Sequence, residues 1–148
     1  MDVHASLEAP CSAARLFTFV DDLAKYPEWM TLTHRVDALA ADGEQPAWQV
    51  ELRARVGPLA RSKRLRMQRT AYDPDQHRVV FERVESDGRR HSPWVLRAEV
   101  LPRGEESTLH MHLHYGGALW TGGVLERVLG DQISDGRERL VALTSSTR

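Results

Sequence analysis

Apolar and polar positions alternate from the start of the chain, with Val3, Ala5 and Leu7 set against His4, Ser6 and Glu8. A period of two marks a half-buried β-strand. Pro10 punctuates it, and from Ser12 the period becomes helical, with Ala13, Leu16, Phe17 and Val20 on one face and Leu23 a turn later. Asp21-Asp22 marks a break. Lys25 to Met30 reads as a second short helix, which Pro27 separates from the first.

From about Leu32 to Leu119 the pattern is strand after strand. Trp48, Val50, Leu52, Ala54 and Val56 alternate with Gln49, Glu51, Arg53 and Arg55, and Gly57-Pro58 closes the run. Leu65 and Met67 alternate with Arg64, Arg66 and Gln68, and Asp73-Pro74-Asp75 supplies a turn. A strand is expected over His77 to Ser86, followed by the hairpin signal Asp87-Gly88. Trp94, Leu96, Ala98 and Val100 form the next apolar face. The last strand sets Leu109, Met111, Leu113 and Tyr115 against His110, His112 and His114. Turns this regular, with no intervening helices, predict an antiparallel meander with one buried and one wet face. After Gly116-Gly117 the helical period returns, and Val124, Leu125, Val128, Leu129, Ile133, Leu140 and Leu143 mark one long helix over about Trp120 to Ser146. The class is therefore α+β. Gly130 and Gly136 are unusual inside such a helix, each costing about 1 kcal/mol against alanine. They fit either loose packing or cavity volume left beneath the helix, and the second reading is preferred.

Composition narrows this only a little. A chain of 148 residues with 41% hydrophobic and 28% charged residues has the size and make-up of one globular domain, expected to span residues 1–148. The net charge of −1 gives no drive toward nucleic acid. A solitary Cys11 excludes an internal disulfide and suits a reducing cytoplasm. Neither a signal peptide nor a membrane-spanning run is visible. Phosphate loops, nucleophile elbows and Cys-x-x-Cys pairs are missing as well.

The order of strand, two short helices, meander and long helix resembles the START-like superfamily, and within it the bacterial polyketide cyclase/dehydrase and lipid-transport branch. Ala9-Pro10 before Leu16-Phe17, the Tyr26-Pro27-Glu28-Trp29 segment and the Gly116-Gly117 break carry the likeness. It implies a helix-grip fold, in which a curved sheet of about seven strands closes around the C-terminal helix. It also implies a cavity that takes a small hydrophobic, lipid- or polyketide-like ligand, with no cofactor. Self-association as a homodimer stays open.

The aromatase/cyclases of that branch resemble this chain in placing arginines on the strands flanking the central turn. Arg69 and Arg83 match, and by alternation Arg69 shares a face with Leu65 and Met67, and Arg83 with Phe81. The resemblance implies that such arginines hold and polarise carbonyls, with Tyr115 or Thr33 relaying protons. Those enzymes carry serine and tryptophan where this chain has Leu65 and Met67, so the cavity here is drier and a binding role is favoured over catalysis. An arginine on an apolar face must be paired, so a structural pairing with Glu82, Glu85 or Glu99 is the alternative. Trp29, Thr33, Trp48, Met67, Phe81, Trp94, Met111 and Trp120 are the expected ligand contacts, with Trp29 and Trp120 as the gating positions. Trp48 and Trp94 read equally as core. The histidine row lies opposite the apolar face and is expected in solvent, holding no metal. His34 reads as a surface residue, and the basic run Arg53 to Arg69 as a solvated face.

Overall fold

The computed structural model describes residues 2–42, 45–56, 58–116 and 124–145. Strand β1 (Asp2–Ala9) leads to helix α1 (Ala13–Phe17) and a 3-10 helix over Leu23–Glu28. Six strands follow: β2 (Thr33–Asp42), β3 (Gln45–Val56), β4 (Leu59–Asp73), β5 (Arg78–Arg83), β6 (Trp94–Arg103) and β7 (Glu106–Tyr115). Helix α2 (Val124–Ser145) comes last. This is the predicted helix-grip architecture. The seven strands form one antiparallel sheet in the order β1-β7-β6-β5-β4-β3-β2, so the first strand closes against the last.

Local chemistry sets the element ends. Ser12 caps α1, its hydroxyl accepting from the Arg15 N–H at 3.2 Å. Asp22 caps the 3-10 helix the same way, accepting from the Ala24 N–H at 2.9 Å. Pro27 lies inside that helix, where its fixed φ suits 3-10 geometry. Gly104, at φ +63°, makes the tight β6–β7 turn that joins the paired Arg103 and Glu106.

One strand is shorter than its sequence suggests. The expected run to Ser86 stops at Arg83. The Val84 N–H still reaches the Arg66 carbonyl, but the Glu85 side chain then takes the Arg66 N–H, replacing a backbone partner. Residues 84–93 form a long connection, with Gly88 at φ +73°.

Helix α2 lies against β1 and is held at several points. Arg15 donates through Nε to the Thr144 carbonyl (2.8 Å) and through Nη2 to that of Leu143 (3.3 Å). Both carbonyls lie in the last turn of α2, where a cationic donor also suits the helix dipole. Arg137 Nε donates to the Glu8 carbonyl at 3.2 Å. Gln132 Oε1 accepts from the Leu32 N–H (2.7 Å) and the Thr31 hydroxyl (2.9 Å).

The glycine expectation is corrected. A Cβ on Gly136 would lie 2.5 Å from the Trp29 carbonyl oxygen and 3.1 Å from its ring Cε3. Gly136 therefore marks close helix–loop contact and leaves no cavity volume. Gly130 is exposed, with nothing within 4 Å of such a Cβ.

Candidate functional site

The concave face of the sheet is apolar because alternation puts one residue in two inward. Leu52, Leu65, Met67, Leu96 and Met111 come from strands β3, β4, β6 and β7. Over them pass Tyr26, Met30 and Leu32 from the 3-10 helix and the segment after it, and Ile133 from α2. Together they bound a cavity of about 80 Å³. Its polar side chains are turned to the protein. The Tyr26 hydroxyl donates to the Val20 carbonyl at 2.9 Å, and the Thr33 hydroxyl to the Met30 carbonyl at 2.6 Å. Burial, with the Asp21 charge added, pushes the Tyr26 phenol well above its ordinary range.

Of the expected ligand contacts, Thr33, Met67, Trp94 and Met111 line this cavity. Trp29, Trp48 and Phe81 are packed behind it in a chain of aromatic contacts. Tyr26 meets Trp29 at 5.1 Å and Phe81 at 6.3 Å, and Phe81 meets Trp48 at 5.5 Å edge-on. Trp29 is 0% exposed and its Nε1 donates to the Phe19 carbonyl at 3.1 Å, so it is wedged under α2 and does not stand at a mouth. Tyr115 is buried against Trp94, ring to ring at 5.4 Å. Trp120 lies outside the described residues.

Neither arginine is among the cavity-lining residues. Arg69 sits at a break in the β4–β5 register and turns toward the 3-10 helix. Its Nη1 donates to the Asp21 carbonyl at 3.2 Å, and its guanidinium covers the Tyr72 ring at 3.9 Å. Arg83 is held by a carboxylate, as the structural alternative requires: Nε meets Glu85 Oε2 at 2.6 Å, and Nη1 reaches both oxygens of Ser92 at 3.3 Å. Its side chain is only 9% exposed, so this pair is shielded from water. Lys63 stands nearby, and burial first, then Arg83, pulls its ammonium below the usual lysine range.

The outer face carries a wider, more open depression of about 470 Å³, bounded by His4, Ser6, Arg78, Arg97, Glu99, His110 and His112. Its charges are mostly matched on the sheet. Arg78 pairs with Glu99, His4 stacks on His112 at 4.4 Å, and Asp2 accepts from His112 (2.8 Å) and His114 (3.1 Å). Those bonds pull the Asp2 carboxyl below its ordinary value. Among the described residues, no group of three or more His, Cys, Asp or Glu side chains is placed to hold a metal. No helix there is long and apolar enough to cross a membrane.

Sequence reasoning missed the roof of the cavity. Lys25 to Met30 reads as a short helix with no stated place over the sheet, whereas the hydrogen bonds of Gln132 tie the segment that follows it to α2. No periodic signal marks a glutamine as a latch. The Tyr-Pro-Glu-Trp run was the one available pointer.

A curved antiparallel sheet folded over a C-terminal helix, with a small apolar hollow between, defines the helix-grip fold. The chain belongs to the polyketide cyclase/dehydrase and lipid transport family, whose model matches residues 1–144. No curated protein matches its sequence. Solved structures similar to it share the fold at low identity. A protein from Thermus thermophilus superposes with a TM-score of 0.74 at 17% identity, over 98% of this chain and 100% of that one. A START superfamily protein from Mycobacterium smegmatis gives 0.70 at 18%, over 98% and 97%. An aromatase/cyclase from Streptomyces sp. R1128 gives 0.68 at 12%, over 97% and 93%.

Proposed function

We propose that this chain binds a small, largely apolar molecule between its sheet and α2, and holds it without reacting. The observation that carries this reading is the cavity wall. It is apolar, its two hydroxyls are internally bonded, and both candidate catalytic arginines are engaged elsewhere. A cyclase would need Arg69 and Arg83 to leave Asp21 and Glu85 and to turn toward a substrate carbonyl.

Size sets a condition on binding. An engineered cavity of about 150 Å³ is enough for benzene, and ligand pockets are usually roughly 300–1,000 Å³. A hollow of about 80 Å³ must widen to take such a guest. Ile133 is the α2 side chain in its wall, and Gln132 beside it makes the bonds to the roof. Widening by shifting this part of α2 leaves the Arg15 anchor at the far end intact.

Native mass spectrometry of protein purified from cells, with titration by the uncharged probe N-phenyl-1-naphthylamine, tests the reading. A one-to-one adduct and saturable fluorescence are expected, both reduced in a folded Ile133→Phe variant that fills the hollow. An empty protein that takes up no probe overturns it.

A further inference from the structure

Trp94 lines the cavity at the start of β6, is 4% exposed, and leaves its Nε1–H without a hydrogen-bond partner. Among the described residues it is the one buried side-chain polar atom in that condition. An indole N–H only donates, so nothing but an acceptor satisfies it. Burying such a donor unpaired costs about 1–3 kcal/mol, and native proteins seldom leave one so without reason.

Water is a poor answer. A buried water settles where two to four polar groups hold it. The side-chain hydroxyls of this cavity, on Tyr26 and Thr33, are already bonded to carbonyls, and the remaining wall is aliphatic, aromatic or thioether. An ionised ligand group is no better placed. Arg69 and Arg83 are both absent from the wall and bound to protein oxygens, so a carboxylate there would lie unpaired in an apolar surround.

Resting on the binding reading above, we infer that the cavity selects an uncharged, mostly apolar guest bearing an acceptor oxygen, a ketone, ester or ether, which takes the hydrogen bond of Trp94 Nε1–H. The guest's carbon body replaces the empty volume, and its oxygen reaches the buried Nε1–H of Trp94 as the hollow widens around it. A poly-β-ketone fits less well, since its further carbonyls would find no donor among the lining side chains.

The test compares cyclohexanone with methylenecyclohexane, which differ only in an oxygen exchanged for a methylene. ¹H–¹⁵N NMR follows both titrations in the native chain and in Trp94→Phe. The affinity of the ketone relative to the hydrocarbon is expected to fall at least about tenfold in Trp94→Phe, the loss of one hydrogen bond made away from water. In the native chain the Trp94 indole proton is expected to move downfield with the ketone and not with the hydrocarbon. If Trp94→Phe does not fold, this shift decides alone. An unchanged ratio, or an indole proton that responds to both probes alike, overturns the inference while leaving the container reading intact. Binding of neither probe overturns both.

Discussion

Replacing Gly136 with alanine sets two known effects against each other. In an unhindered helix interior the exchange stabilises by about 1 kcal/mol. At Gly136 the added methyl would stand 2.5 Å from the Trp29 carbonyl oxygen and 3.1 Å from its ring. Neither partner can step aside cheaply. The carbonyl belongs to backbone held by the Trp29 N–H to Tyr26 bond, and the ring is tied through Nε1 to the Phe19 carbonyl. Overpacking of this kind costs about 1–3 kcal/mol. Net destabilisation of up to about 2 kcal/mol is expected, or up to roughly 8 °C in Tm for a chain of this size. Gly130→Ala is the internal control. It adds the same methyl to the same helix where nothing lies within 4 Å, so it is expected to stabilise by up to about 1 kcal/mol. Urea unfolding of both variants should place their midpoints on opposite sides of the native one. Equal stabilisation in the two would refute the claim that Gly136 is required for contact with Trp29.

Arg15→Ala strips the last carbonyls of α2 of their cationic donor and is expected to cost about 1–2 kcal/mol; amide exchange should speed up in the final turn first, and unchanged exchange there would refute the anchor. The Asp2 carboxyl is held below its ordinary 3.8 by His112 and His114, so its contribution is present above that pH and lost as pH falls below it. Asp2→Asn should flatten the acid side of the stability profile between pH 5 and roughly pH 2, read by urea unfolding at each pH. Tyr26 behaves oppositely at the alkaline end. Its phenol stays protonated in the folded chain, so the unfolded chain ionises first and stability falls as pH climbs past 10.0. Tyr26→Phe should lose about 1 kcal/mol near neutrality with the Val20 bond, yet show a shallower alkaline decline.

The strands were legible because alternation and burial coincide. Leu109, Met111 and Tyr115 are all buried, as their spacing requires, while His110 between the first two is exposed. The arginines show where a period of two stops being sufficient. It places Arg69 on the inner face but carries no information about the register break after it or the Asp21 carbonyl that captures its guanidinium. Glu85 is one of the carboxylates that the sequence offers as a partner for Arg83. Its simultaneous hold on the Arg66 N–H, which ends β5, depends on chain geometry that no local pattern encodes. Trp29 is similar. It stands near the end of a short, proline-containing helical stretch, and only the approach of a glycine 107 positions later makes it the wedge of the core.

The sheet order has a temporal consequence. Asp2 opposes His114, and every residue of β1 finds its partner more than ninety positions downstream. A chain emerging from synthesis at about 5–20 residues per second therefore carries an unmatched first strand until β7 arrives. Loop closure over that distance contributes entropy but no contacts until the ends meet, which puts the pairing of β1 with β7 among the late events of folding and favours relaxation over milliseconds to seconds. Truncation before β7 would leave the Leu7 and Ala9 face without its neighbour, presenting an open edge with both backbone hydrogen-bonding rows exposed. Nascent chains stalled short of Tyr115 should bind chaperones, and release should coincide with the arrival of the last strand.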